Sequence, residues 1–307
     1  RTITISTSSE QFLMQNPSNK VTRTKATRMK ANGAFTLIEL LVVMGIIALL
    51  LAILLPALGK ARATAKRVKD STQVQQIHKG FLTLARDFNG VFPTPGLIDR
   101  VGNIPGKGAE DLLVNTHANM YSAAIMQHAF DTNVLVCPAE VSTAVLALAN
   151  YNFDKYNVTA ANDLYWDDAF KSDLTAISNV SYGTLHLNGT RKSKEWKDTY
   201  NSKFAVLANR GVKDGSLLPT DYNNSKTLAI HGGDKQWEGN VCFNDNHVAY
   251  ENKFQPDGIT QFGTTNPLID DNIFKDDPEA VTADTWLTMI SAVSGSGTTY
   301  TYTVTWD

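Results

Sequence analysis

The sequence predicts an α+β chain: a long N-terminal α-helix, membrane-spanning in its first half, leading into a globular part that contains a small antiparallel β-sheet. Three observations carry this reading: an apolar run from Phe35 to Leu58, a helical apolar stripe beyond it, and period-two patterns late in the chain. The expected organisation is a leader or upstream extension over 1–34 that is removed, a spanning half over 35–58, an amphipathic continuation over 59–90, and a globular α+β part over 91–307.

The run FTLIELLVVMGIIALLLAILLPAL holds a single ionisable group, Glu39. At about 1.5 Å per residue its helix reaches roughly 36 Å, enough for a hydrocarbon core of about 30 Å. Sixteen of its residues are Leu, Ile, Val or Phe. Each contributes about −0.3 to −0.6 kcal/mol near the membrane centre, so together they outweigh one carboxylate at roughly +3 kcal/mol. A secretory signal has a shorter apolar region and a small-residue cleavage site after it. Here the downstream flank is Gly59-Lys60-Ala61-Arg62, a charged helical run, so the segment reads as an anchor. Pro56 lies late in the span and predicts a kink, because it removes a backbone bond and crowds the preceding turn.

A carboxylate inside a spanning segment either marks a partner or lies close enough to the interface to stay hydrated, and Glu39 by itself leaves both readings open. The stretch Ala34-Phe35-Thr36-Leu37-Ile38-Glu39-Leu40-Leu41 resembles the processing and methylation motif of type IV prepilins and type II secretion pseudopilins. The resemblance implies a pilin-like fold, cleavage by prepilin peptidase between Ala34 and Phe35, and N-methylation of Phe35. It also implies that Glu39, fifth in the mature chain, neutralises the amino group of a neighbouring subunit. A buried charge needs an opposite one, and the new α-amine supplies it. The family usually has Gly before the cut, where this chain has Ala34 after Gly33; a proline like Pro56 recurs in the family's helix.

Residues 1–28 are polar and without period, while Met29 to Ala34 form a short leader of the prepilin type, so Met29 is the expected natural start. The positive-inside rule alone would invert the protein, because Lys60, Arg62, Lys66, Arg67 and Lys69 crowd the outer flank. The motif decides the orientation instead: globular part outside the cytoplasm, precursor in the bacterial inner membrane, periplasmic or surface filament after assembly.

Beyond the membrane, Val74, Ile77, Phe81, Leu84 and Phe88 recur at spacings of three and four, one stripe of an amphipathic helix. Asn89-Gly90 and then Pro93 and Pro95 stop it. His78, at the stripe's edge, is expected to be solvated. Further on, 109–130 reads as helix, Val134 to Pro138 as a short strand or loop end, Val141 to Ala149 as an alanine-rich helix, Tyr165 to Phe170 as an aromatic helix, and Val180 to Leu187 as a strand.

The clearest β signal runs from Leu228 to Phe254: an apolar LAI, the turn His231-Gly232-Gly233-Asp234, NVCF, a tight Asn244-Asp245-Asn246 turn, then HVAYENKF. It resembles the C-terminal hairpin of a large branch of pilin-like proteins, with Asn246 where Gly is usual; Asn tolerates positive φ. Cys137-Pro138 and Ser181-Tyr182-Gly183 resemble that branch more weakly. At the end, Tyr300, Tyr302, Val304 and Trp306 alternate with threonines as in a half-buried strand, which Ser294-Gly295-Ser296-Gly297 joins to Trp286–Val293 as a hairpin.

With 28 Lys+Arg against 30 Asp+Glu there is no basic field for nucleic acid, so no nucleic-acid partner is expected. Cys137 and Cys242 read equally as one bridge or as two separately buried thiols. The six histidines show no metal-binding spacing, and no nucleophile motif occurs, so the chain reads as no enzyme. His231 and His247 read as hydrogen-bonders at hairpin ends. Gly106-Lys107-Gly108 lacks the spacing of a phosphate loop. No cofactor is expected, with calcium the one candidate. Asp270, Asp271, Asp276 and Asp277 offer oxygen ligands in a late loop, where the resemblance to major pseudopilins implies a calcium site; the alternative is a solvated loop.

The function these readings imply is a structural subunit of a type II secretion pseudopilus or type IV pilus-like filament. Its partners are itself or other pilin-like subunits, prepilin peptidase, the inner-membrane assembly platform and membrane lipid. The rival is an envelope-anchored binding protein or enzyme that uses the pilin-type N-terminus for targeting only.

Overall fold

Helix α1 (Leu37–Ala85) opens on a reciprocal cap. The Glu39 carboxylate accepts from the Thr36 backbone N–H and hydroxyl, both at 2.9 Å, while the Thr36 Oγ1 accepts from the Glu39 N–H at 3.2 Å. Two N–H groups left over by helix geometry are satisfied in this way. The helix continues through Pro56, which has no N–H for the Ala52 carbonyl. It ends as its sequence requires: Asn89 adopts φ 53°, Gly90 φ 82°, and the Gly90 N–H caps the Ala85 carbonyl at 2.7 Å.

This computed structural model describes residues 35–102, 107–159, 162–233, 235–259, 270–276, 284–297 and 299–306. The chain divides into two compact units at Leu54/Leu55. In the first, every described side chain is exposed, and α1 is the one described helix long and apolar enough to cross a membrane.

In the second unit, α1 buries Val74, Ile77, Phe81 and Leu84, four of the five residues of the stripe, and leaves Phe88 half-buried. They join Met120, Tyr121, Ala124 and Ile125 in one hydrophobic core. Each large side chain so buried contributes about 1.5 to 3 kcal/mol. Short helix α2 (Pro95–Ile98) precedes α3 (His117–Met126), which begins where the Thr116 Oγ1 accepts from the Asn119 N–H. The helix expected over 109–130 is therefore shorter, a 3-10 turn (Leu112–Val114) standing before the cap.

Strands β1 (Asn157–Thr159) and β2 (Asn162–Leu164) form a small hairpin. Strand β3 (Tyr182–Leu185) falls inside the strand expected over 180–187. After α4 (Gly189–Glu195) come β4 (Ala205–Asn209), α5 (Pro219–Tyr222), α6 (Leu228–His231), β5 (Gly239–Phe243), β6 (Val248–Glu251) and β7 (Leu287–Thr288). The main sheet is antiparallel in the order β6-β5-β4-β3-β7. Along β5 the period of two serves two cores: Cys242 faces the core shared with α1, whereas Val241 and Phe243 face a second one built on Trp237, Phe254 and Phe274. The hairpin turn places Asn246 at φ 69°, the conformation for which Asn substitutes for Gly.

A last hairpin pairs β8 (Ile290–Ser296) with β9 (Thr299–Val304). Tyr300, Tyr302 and Val304 are half-buried and the threonines between them exposed, as the alternation predicts.

Four expectations are corrected. Val141 to Ala149 is not helical, because its backbone bonds elsewhere: the Leu146 N–H donates to the Ser178 carbonyl and the Ser178 N–H to that of Ala144, both at 2.9 Å. Tyr165 to Phe170 is a turn organised by the Asp167 carboxylate, which accepts from the Asn152 and Ala169 N–H groups. The LAI run is one helical turn rather than a strand, its Ile230 N–H bonding Thr227 three residues back. His78 is fully buried, with Nδ1 3.1 Å from Asn246 Oδ1 and its ring edge-on to Phe92.

The glycine pair after α6 has a steric reason. A Cβ on Gly232 would stand 1.6 Å from the Gln236 carbonyl oxygen, whereas one on Gly233 meets nothing but sits at φ 63°. Gly232→Ala is expected to cost about 2 to 3 kcal/mol by overpacking and Gly233→Ala about 1 kcal/mol by backbone strain. Thermal melts of both variants check that order.

Candidate functional site

Among the described residues, two places concentrate chemistry. The first is the start of α1. Phe35 stands just before the helix and is 85% exposed, and Glu39 lies in the first turn with its carboxylate held by Thr36. The peptidase-side residue Ala34 and the leader around Met29 lie outside the described residues. Pro56 sits within α1, beside the boundary between the two units.

The second is a buried polar cluster that local sequence patterns do not announce. Asp70 is on the apolar face of α1, one turn before Val74, and is fully buried. Its Oδ1 accepts the Tyr182 hydroxyl at 2.7 Å, and its Oδ2 accepts the Asn240 side-chain amide at 2.6 Å and stands 3.1 Å from His231 Nε2. The same His231 nitrogen is 3.7 Å from Cys137 Sγ. Burial alone would raise the Asp70 carboxyl, but hydrogen bonds from His231, Cys137, Tyr182 and Asn240 outweigh it and hold the group below the ordinary carboxylate value. Burial, with the Asp70 charge beside it, pushes the Cys137 thiol far up.

The sequence does hold one signal for this cluster. Asp70, Val74, Ile77, Phe81 and Leu84 continue a single helical stripe, so Asp70 is an acid on the side of the helix that faces a core.

The two cysteines do not pair: both are free and buried, Cys137 against His231 and Cys242 within β5. His247 does bond at its hairpin end, to Asp245, while lying flat on Phe243; His231 instead reaches across to α1. Of the four calcium candidates, two have separate internal partners. The Asp271 carboxylate accepts the Thr285 N–H at 2.8 Å, Asp276 pairs with Arg191 at 2.7 Å, Asp270 is exposed, and Asp277 lies outside the described residues.

Within the second unit, a groove of about 580 Å³ is lined by Arg62, Lys66 and Arg67 of α1 and by His231, Glu238 and Tyr250. Arg67 lies over the Tyr250 ring, 4.2 Å from its centroid. His231 thus belongs both to the buried cluster and to the groove wall.

No curated protein and no solved structure matches the chain. The family description "Prokaryotic N-terminal methylation motif" matches residues 29–55, which take in the Ala34-Phe35 junction, Glu39 and most of the apolar run. The chain therefore carries the type IV pilin and pseudopilin signature, ahead of a globular α+β part.

Proposed function

We propose that this chain is a structural subunit of a helical filament of the type II secretion pseudopilus or type IV pilus kind. The methylation motif over residues 29–55 is the observation that carries the reading. Prepilin peptidase cuts the membrane-anchored precursor between Ala34 and Phe35 and methylates the new amine. The apolar half of α1 holds the subunit in the inner membrane until the assembly platform moves it into a bundle of like helices. Its side chains are exposed all round, which suits either lipid or neighbouring helices as cover. Glu39 then meets the methylated amine of the next subunit, so that two charges otherwise unfavourable in a dry bundle neutralise each other.

Mass analysis of the N-terminal peptide from native membranes is expected to give N-methyl-Phe35 as the first residue. Glu39→Ala is expected to be processed and inserted but not assembled, read as loss of sheared or cross-linked filament. An uncut chain removes the reading's main support. A processed wild-type chain that yields no sheared or cross-linked filament, with Glu39→Ala indistinguishable from it, points instead to an anchored binding protein or enzyme that uses the N-terminus for targeting.

A further inference from the structure

We infer that Asp70, Cys137 and His231 form a zinc site that ties α1 to the loop carrying Cys137 and to the end of α6. One potential ligand atom from each residue, a carboxylate oxygen, Cys137 Sγ and His231 Nε2, lies within 4.8 Å of the other two. Ligands at about 2.3 Å for thiolate and about 2.0 Å for imidazole or carboxylate, set at the tetrahedral angle, stand roughly 3.5 Å apart across S–N and roughly 3.3 Å across N–O. The observed separations are 3.7 Å for Cys137 Sγ to His231 Nε2 and 3.1 Å for His231 Nε2 to Asp70 Oδ2.

The arrangement is wrong for a nucleophile. A Cys–His–acid relay uses opposite nitrogens of the imidazole, one for the thiol and one for the acid. Here a single nitrogen, Nε2, faces both partners, which is the convergence that a metal ion requires. A thiolate, an imidazole and a carboxylate form a donor set that suits zinc rather than calcium or magnesium. Thiolate and carboxylate also match the two positive charges of the ion.

The surroundings supply the outer support that such sites need. The Tyr182 hydroxyl fixes the other Asp70 oxygen, and the Asn240 amide fixes the ligating one. The backbone N–H of Ala139 donates to Cys137 Sγ at 3.4 Å, a bond that favours the thiolate. Three protein ligands leave a fourth position, which solvent from the groove beside His231 fills.

The full chain, purified in detergent without a polyhistidine tag, is expected to take up one zinc per molecule by elemental analysis. With cobalt in its place, a thiolate-to-metal charge-transfer band in the near ultraviolet is expected. Cys137→Ser abolishes that band, Asp70→Asn or His231→Gln weakens zinc binding by about 100-fold or more, and Cys242→Ser changes neither. Circular dichroism shows whether each variant is folded, while the titration of the unaltered chain needs no variant. A folded wild-type chain that takes up no stoichiometric zinc and gives no cobalt band overturns the site, as does a band that survives Cys137→Ser.

Discussion

Lowering the pH from 7 towards 4.5 is expected to unfold the globular part, because three buried histidines are neutral in the folded protein. His117 is fully buried, and its Nδ1 accepts the Ile290 backbone N–H at 2.7 Å, so a proton there would break that bond. Burial pushes His117 down to about 3. Burial also takes His186 down to about 3, helped by the nearby His117 and Arg191; its ring is stacked on Trp286 with centroids 4.4 Å apart. His78 is taken to about 4 by burial, against smaller opposing effects from Asn246 and Asp245.

In the unfolded chain each ring protonates near pH 6.5. Below that value the unfolded state binds more protons than the folded one, so stability falls as pH falls. Each ring contributes about 1.4 kcal/mol per pH unit and the three together roughly 4 kcal/mol per unit, until the folded pKa values are reached. A domain stable by about 5 to 15 kcal/mol loses most of that within two or three units.

Glu140 adds to the loss lower down. Burial would raise it, but the Arg210 guanidinium beside it outweighs that and holds it below its ordinary value; its contribution is lost as pH falls through that depressed value. Thermal melts from pH 7.5 to 4.5 check the slope. His117→Gln, which keeps an acceptor for Ile290 but cannot take the proton, is expected to flatten the slope by about 1.4 kcal/mol per unit. A melting temperature constant between pH 7 and 5 overturns the account.

Arg191→Met is expected to destabilise the globular part by about 3 to 5 kcal/mol, the cost of breaking a buried ion pair from one side. Arg191 is 2% exposed and Asp284 is fully buried, with the Arg191 Nε donating to Asp284 Oδ1 at 2.6 Å. The same guanidinium reaches Asp276 at 2.7 Å and lies 5.2 Å from the centroid of the Trp286 ring. It therefore fastens α4 to the chain segments on either side of residues 277–283. For a domain of this size the loss corresponds to a melting temperature lower by about 10 °C. Replacing the pair together, Arg191→Met with Asp284→Leu, is expected to recover most of the loss, since no carboxylate then stays buried without its guanidinium. Equal melting temperatures for wild type and Arg191→Met would show the pair to be irrelevant to stability.

What the sequence made legible was local. The span, the stripe from Val74 to Leu84, the β5–β6 hairpin with its Asn246 turn and the alternating final strand each announce themselves within about ten to twenty residues, the range over which periodicity operates. The Val141–Ala149 segment is not helical despite its alanines because their propensity is weak beside backbone bonds to an isolated bridge at Ser178. LAI is too short for its period to separate strand from helix. The Asp70 cluster joins residues 161 and 94 positions apart, from His231 to Asp70 and to Cys137, and no local window contains such a pair. The burial of His78 is not legible locally because its partner, Asn246, arrives from 168 residues away.

The cap at the start of α1 bears on what would drive assembly of the filament proposed above. Because Thr36 already supplies Glu39 with two hydrogen-bond donors, a lone subunit in lipid does not carry a bare carboxylate waiting for a counterion. A neighbour's amine must displace a resident partner, and the exchange returns only the difference between two interactions. In the filament proposed above, the free energy that holds subunits together would then fall to the packing of the apolar helices, and Glu39 would act as a register mark that tells a correctly staggered neighbour from one slipped by a turn.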